Sequence, residues 1–378
     1  MKPLLAACLI AASGAAAADY ETRIVDDKNL PLFYEALKAR MTHPLNYDGG
    51  DAAAWQARAL PAARALMLPY EARADFAPEV IDELDRGDHI ARRIAFSVSD
   101  ESRIAGILLI PKGEGPFPAA LMLHDHGARF DIGKEKWISP WYDDTRRASA
   151  EEWAAKYFSG RFPGEELVRR GYVVFATDAL GWGDRQGNGY EAQQALAANL
   201  MNLGASLAGV VALEDMRAAA FLSGLPETDP ARIAAVGFSM GAFRAWQVAA
   251  LSPHITAAVA QNWMATLDGL MVPGNNQLKG QSAFYMLHPG LPALMDYPDV
   301  AALAAPKPML VHAGTEDPLF PVASVETAFA RMHAVWDARG ASDALTTRMW
   351  EGEGHTFTAE MQDAAFDWLD RAMAPAPR

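Results

Sequence analysis

The chain has almost no cysteine. Among 378 residues there is one, Cys8, and it lies within the first eighteen. Without that segment the chain holds none, which excludes disulfides, thiolate metal sites and a cysteine nucleophile. Positive charge is also scarce: 33 Lys and Arg stand against 47 Asp and Glu, a net charge of −14. An acidic surface argues against nucleic acid, anionic membranes and polyanionic substrates as partners. There is no internal repeat, no Ser/Gly-rich linker and no block of like charge. What remains is 51% hydrophobic and 21% charged, ample for a large core. One main domain with an N-terminal extension is the simpler organisation. Nothing in the composition points to an oligomeric state.

The amino terminus reads as an export signal at residues 1–18. Lys2 supplies a positive start, Leu4 to Ala12 an apolar stretch, and Ala16-Ala17-Ala18 small residues ahead of Asp19. The apolar run is too short for a membrane span. Leu5-Ala6-Ala7-Cys8 resembles a lipoprotein cleavage box, but it leaves almost no apolar segment before Cys8. The expected location is periplasmic or secreted.

Residues 19–88 are expected to form a helical extension. Leu30, Phe33, Leu37 and Met41 make one amphipathic stripe, and Trp55, Ala59, Ala63 and Leu66 another. Pro61 predicts a kink or break in the second helix. Residues 89–378 are expected to form the main domain. There the period changes to two: 90–98 and 104–110 flank a polar turn, predicting an antiparallel hairpin. Short buried strands follow near 119–123, 172–177, 255–260, 307–312 and 345–349. Helices are expected over 192–222, 322–339 and 359–373. This alternation predicts an α/β fold with a mostly parallel, doubly covered sheet and its ligand site at the strands' carboxyl ends. Two insertions, 128–162 and 263–305, are too long for plain connections and fall at that end, where lids and pocket walls form.

The most informative stretch is Gly237-Phe238-Ser239-Met240-Gly241. It follows an apolar β-prone run, 232–236, and precedes a helix-prone run, 242–250. A Gly-x-Ser-x-Gly at a strand-to-helix junction is a turn so tight that glycine is needed on both sides. It holds a serine hydroxyl clear of the sheet at a helix N-terminus. That hydroxyl needs a base within hydrogen-bond reach, and the base an orienting carboxylate. Four histidines lie beyond the helix after Ser239. His312 sits within a strand pattern, His288 in an insertion and His333 mid-helix. His355, in the loop Glu351-Gly352-Glu353-Gly354-His355, lies between the last strand and last helix and is the expected base. Asp317 follows the strand ending at Gly314 and is preferred to Glu316 as the acid.

A tetrahedral oxyanion needs two donors. The Met240 N–H is one. The loop His124-Asp125-His126-Gly127 is expected to supply the other, from His126 if His124 aligns as the strand-end histidine, or from Ala128 if His126 does. The first alignment is preferred. A rival reading makes His124, Asp125 and His126 metal ligands, but no third-segment ligand set accompanies them, and neither metal nor cofactor is expected. Asp125, Trp182 and Trp263 are candidate substrate contacts on the same rim.

With these motifs in order, the chain resembles the serine α/β-hydrolases over about residues 90 to 373. It is most similar to their dienelactone-hydrolase and acetyl xylan esterase-like branch. The antiparallel lead-in, the Gly-Phe-Ser-Met-Gly turn and the Trp-rich N-terminal helices carry the likeness. The resemblance implies a carboxylesterase with Ser239 as nucleophile, Asp317 as orienting acid and His355 as base, acting on small or carbohydrate esters such as acetylated xylan. Dienelactone hydrolases proper use a cysteine, absent here, and sugar deacetylases often carry His-Gly-Tyr where this chain has His-Asp-His-Gly. The alternatives are an oligopeptidase-like hydrolase and a catalytically inactive binding protein.

Overall fold

The computed structural model describes residues 33–72, 75–272, 275 and 282–375. The expected export signal at residues 1–18 lies outside the described residues. The frame is one nine-stranded sheet in the order β1-β2-β3-β5-β4-β6-β7-β8-β9. Its strands are β1 (Glu79–Asp85), β2 (His89–Ser97), β3 (Arg103–Pro111), β4 (Phe117–Leu123), β5 (Val173–Thr177), β6 (Thr228–Phe238), β7 (Ala257–Gln261), β8 (Met309–Gly314) and β9 (Leu345–Trp350). β1, β2 and β3 pair antiparallel, as do β3 and β5, and every pair from β5 to β9 is parallel. The expected α/β architecture and the 90–110 hairpin are therefore both present.

The parallel strands are buried on both faces, which is why they read as unbroken apolar runs. Alternation along each strand divides the core in two. Ala119, Leu121 and Leu123 of β4 join Phe175 and Ala235 on one face. Ala120 and Met122 join Val174, Ala176 and Val236 on the other. Helices α1 (Phe33–Lys38), α2 (Ala52–Met67), α3 (Asp144–Tyr157), α4 (Pro163–Arg169), α5 (Tyr190–Asn202), α6 (Leu207–Ser223), α7 (Met240–Leu251), α8 (Leu267–Leu270), α9 (Tyr297–Ala302), α10 (Val322–Ala338) and α11 (Ala359–Ala372) connect and surround the strands. α2, α6, α7 and α10 bury their apolar sides on the first face, and α3, α4 and α11 on the second.

Three local expectations are corrected. Residues 79–85, read as helical, form edge strand β1. Almost every residue there is exposed, so no apolar alternation marks it. Cross-strand ion pairs stabilise it instead: Arg92 Nε lies 2.6 Å from Glu83 and Arg93 Nη1 3.1 Å from Asp82. Pro61 does not break α2, whose residues Trp55, Ala59, Ala63 and Met67 bury one continuous stripe. That burial outweighs the single backbone hydrogen bond proline removes. The helical stretch expected over 192–222 is two helices, α5 and α6, meeting at 91°. No single helix among the described residues is long and apolar enough to cross a membrane.

Among the described glycines, those at the junction of β6 and α7 have the least room for a side chain. A methyl group at Gly237 would lie 1.9 Å from the Gly241 carbonyl oxygen, and one at Gly241 would lie 1.8 Å from that of Leu123. Both clashes are with backbone, which cannot swing aside. Gly237→Ala and Gly241→Ala are each expected to lower unfolding free energy by about 4 kcal/mol or more, or to abolish soluble expression. Gly224→Ala, where the nearest atom is 3.5 Å away, should cost under about 1 kcal/mol. Urea titration of the three variants compares them; a Gly241→Ala protein as stable as wild type would refute the steric argument.

Candidate functional site

Ser239 caps α7 with φ 56° and ψ −126°, a conformation that costs an L residue strain. The backbone is held there: the Ser239 N–H donates to the Gln261 carbonyl of β7 at 2.8 Å. Met240 is the first residue of α7, so its N–H belongs to the unpaired first turn of the helix. The serine hydroxyl thus stands at the carboxyl end of the sheet with a free amide beside it.

His355 reaches this hydroxyl from the loop between β9 and α11. Its Nε2 lies 2.8 Å from Ser239 Oγ, and its Nδ1 lies 2.6 Å from Asp317 Oδ2. Asp317 sits just after β8, with its side chain 1% exposed. The carboxylate takes two more donors, the Leu319 N–H at 2.9 Å and Asn262 Nδ2 at 3.0 Å. With Nδ1–H committed to Asp317, Nε2 carries the lone pair that faces the hydroxyl. The rings of Phe238 and Phe320 flank His355 at 4.9 and 6.2 Å between centroids. Glu316, the other acidic candidate, is exposed. The remaining late histidines are elsewhere. His312 bonds Gln261 and His288 bonds Gln247, and burial pushes each down to about 3. His333 pairs with Thr347.

The loop after β4 lies beside the serine. Asp125, His126, Gly127 and Ala128 line the same cavity as Ser239 and His355, a space of about 280 Å³. The Ala128 N–H donates to His126 Nδ1 at 3.3 Å, which fixes the proton of that ring on Nε2, 2.6 Å from Gln193 Oε1. Burial pushes His126 down to about 4, so the ring is neutral. His124 points inward, with Nδ1 on the Asp125 carbonyl at 2.8 Å and Nε2 accepting from the Ala179 N–H at 2.9 Å. Both histidines therefore spend their ring nitrogens on the protein. Among the described residues no group of His, Cys, Asp or Glu is arranged to hold a metal ion.

Of the candidate substrate contacts, Asp125 and Trp263 line the cavity and Trp182 does not. Trp182 is fully buried behind the loop, and its Nε1–H donates to the His126 carbonyl at 3.0 Å. Both insertions contribute walls, Trp153 and Tyr157 from the first and Trp263, Leu270 and Met286 from the second.

Two features escaped the sequence. Asn262, with φ 57°, donates to Asp317 and also to the Gly354 carbonyl at 2.9 Å, tying the acid to the histidine loop. A polar Gln261-Asn262 pair closing an apolar strand on the catalytic rim was the available signal. Lys134-Glu135-Lys136 is fully buried although all three side chains are charged. Lys134 Nζ lies 2.5 Å from Asp178 and 2.9 Å from Asp184. Burial draws its pKa down, but Asp178 and Glu135 more than reverse this, and it stays charged.

Comparison with known proteins identifies the fold and the family. A model of the dienelactone hydrolase family matches residues 162–374, more than half of the chain. YtaP of Bacillus subtilis (strain 168), a provisionally named hydrolase, is 26% identical over 288 residues, 76% of this chain and 89% of its own. Among solved structures, a provisionally named acetyl xylan esterase from Bacteroides fragilis NCTC 9343 superposes with a TM-score of 0.66 at 18% identity, over 87% of this chain and 84% of that one. A glucuronoyl esterase from Solibacter usitatus gives 0.61 at 15%, over 87% and 97%. Acetyl xylan esterase 1 from Thermoanaerobacterium sp. JW/SL YS485 gives 0.53 at 17%, over 91% and 99%. These structures share the α/β-hydrolase fold, and the chain belongs to the dienelactone hydrolase family.

Proposed function

We propose that this α/β-hydrolase is a serine carboxylic-ester hydrolase that works through an acyl-enzyme. The observation that carries the reading is His355, within hydrogen-bond reach of both Ser239 and Asp317. His355 Nε2 takes the Ser239 proton as Oγ attacks the ester carbonyl. The Met240 and His126 N–H groups hold the resulting oxyanion. The imidazolium returns the proton to the departing alcohol, leaving the acyl group on Oγ. Water then enters, gives its proton to the same base, and releases the acid. Asp317 orients the ring and balances its transient charge.

For the substrate we propose a short-chain ester of a carbohydrate or a similar small alcohol, acetylated xylan being one such ester. The cavity is small, and Trp153, Tyr157, Tyr190 and Trp263 offer aromatic walls against which a sugar ring can lie. The acetyl xylan and glucuronoyl esterases among the structural neighbours support the same substrate class. We also propose that the enzyme is exported, periplasmic or secreted, on the composition of residues 1–18.

Ser239→Ala is expected to reduce hydrolysis of p-nitrophenyl acetate by at least about 10,000-fold, with its melting temperature close to wild type. Asp317→Asn should cost about 100- to 10,000-fold in kcat; undiminished turnover in either variant would sink the mechanism. Asn262→Ala should lower kcat about tenfold to a hundredfold by loosening the Asp317 to Gly354 tie, read as a change in kcat at nearly constant KM. On a p-nitrophenyl ester series, kcat/KM for acetate should exceed that for octanoate by about tenfold or more, given a cavity at the lower end of ligand-site sizes. Equal rates would require a deeper acyl channel.

A further inference from the structure

The mechanism leaves two fully buried lysines unused, and of the two it is Lys136, not Lys134, whose ammonium bonds the loop that follows β4. Lys136 is 0% exposed and does not line the cavity. Its ammonium lies 3.1 Å from the Asp125 carbonyl, 3.2 Å from the His126 carbonyl and 3.2 Å from Asp125 Oδ2. It also sits 4.4 Å from the ring centroid of Trp153. All three of its donors are therefore spent on the loop that follows β4.

Two of those contacts set peptide planes. In a trans peptide the C=O of one residue and the N–H of the next point in opposite directions. The Asp125 carbonyl is held inward by Lys136 and by His124 Nδ1–H. The proton position on His124 follows from its other nitrogen: the Ala179 N–H donates to Nε2, so Nδ1 carries the hydrogen. The His126 carbonyl is held inward by Lys136 and Trp182 Nε1–H. With both carbonyls drawn to one cation, the N–H groups of His126 and Gly127 face the other way, toward the cavity that both residues line. Among the described residues neither N–H donates to a protein acceptor. Successive N–H groups presented in this way form a concave anion site, a nest.

We propose that Lys136 is a positioning residue for the oxyanion: assisted by Trp182, it grips the Asp125 and His126 carbonyls from behind and so aims the His126 and Gly127 N–H groups at the carbonyl oxygen of the substrate. The proposal rests on the serine-esterase reading above. It accounts for a lysine buried at this depth, because a lysine offers three donors and a net charge where a neutral side chain offers neither. The oxyanion forms only in the transition state, so a misaimed donor lowers kcat and leaves KM nearly unchanged.

The test counts active sites first. Titration with a fluorophosphonate gives the concentration of reactive Ser239, and kcat for p-nitrophenyl acetate is expressed per labelled serine. Lys136→Met strands the Asp125 carboxylate, so the balanced pair Asp125→Asn with Lys136→Met is made beside it. Trp182→Phe, which removes one N–H and keeps the ring, is the mild variant. The double variant is expected to lose about a hundredfold in kcat per labelled serine, and Trp182→Phe about three- to tenfold, with KM within threefold in both. A kcat per labelled serine within twofold of wild type in Trp182→Phe, or within threefold in the double variant, would overturn the proposal. A merely structural role would lower the melting temperature and the labelled fraction but leave turnover per labelled serine intact. Wild-type protein that is not labelled at Ser239, or a Ser239→Ala variant that still hydrolyses the ester, overturns the serine reading itself and is thereby distinct.

Discussion

The backbone contact between Gly241 and the end of β4 is the constraint on which the rest depends. Because neither Gly237 nor Gly241 carries a side chain, the chain leaves β6, turns within one residue and enters α7 against the Leu123 carbonyl. The turn places Ser239 in a strained conformation with its hydroxyl proud of the sheet. It also sets the start of α7 beside the loop that follows β4, so that Ser239 and the His126 region line one cavity. Wider spacing here would separate the hydroxyl from its donors before any side chain mattered.

Around this contact the rim also carries buried ion pairs. Lys134 and Lys136 anchor the first insertion and the loop after β4 on buried carboxylates. Arg244 of α7 makes a two-pronged pair with Asp215 of α6, at 2.9 and 2.7 Å, and its third contact is the His124 carbonyl. Buried ion pairs contribute little net stability, since desolvation cancels most of the attraction. Their effect is geometric. The planar fork of Arg244 fixes the carboxylate it meets, the buried ammonium groups hold the oxygens that must surround them, and breaking a pair leaves an uncompensated charge costing about 3–5 kcal/mol. A rim built this way has one well-defined shape, which a preorganised oxyanion site requires.

Much of this was legible because it is local. Ser239, Asp317 and His355 each stand just beyond a strand or helix boundary marked by glycine or proline, and their order along the chain follows from the order of the strands. The parallel strands declared themselves because both faces are buried. Strand β1 did not, because an exposed edge stabilised by ion pairs has no hydrophobic period. Pro61 misled because its cost is a local quantity, whereas the stripe of Trp55, Ala59, Ala63 and Met67 gains its stabilisation from distant partners. The burial of Lys134-Glu135-Lys136 left no trace along the chain for the converse reason: the carboxylates that pair with Lys134 lie 44 and 50 residues away in sequence.

Residue types and their spacing were enough to specify the strained serine turn, the acid and base that follow it, and the parallel sheet that carries them. These rest on backbone sterics and on periodicity, which act over a few residues. Why Trp182 lies behind the loop while Trp263 lines the cavity, and how Asn262 reaches Asp317 and Lys136 the loop after β4, were decided by long-range contacts. A carbonyl's direction depends on the donor that reaches it through space, and no pattern along the chain encodes that distance.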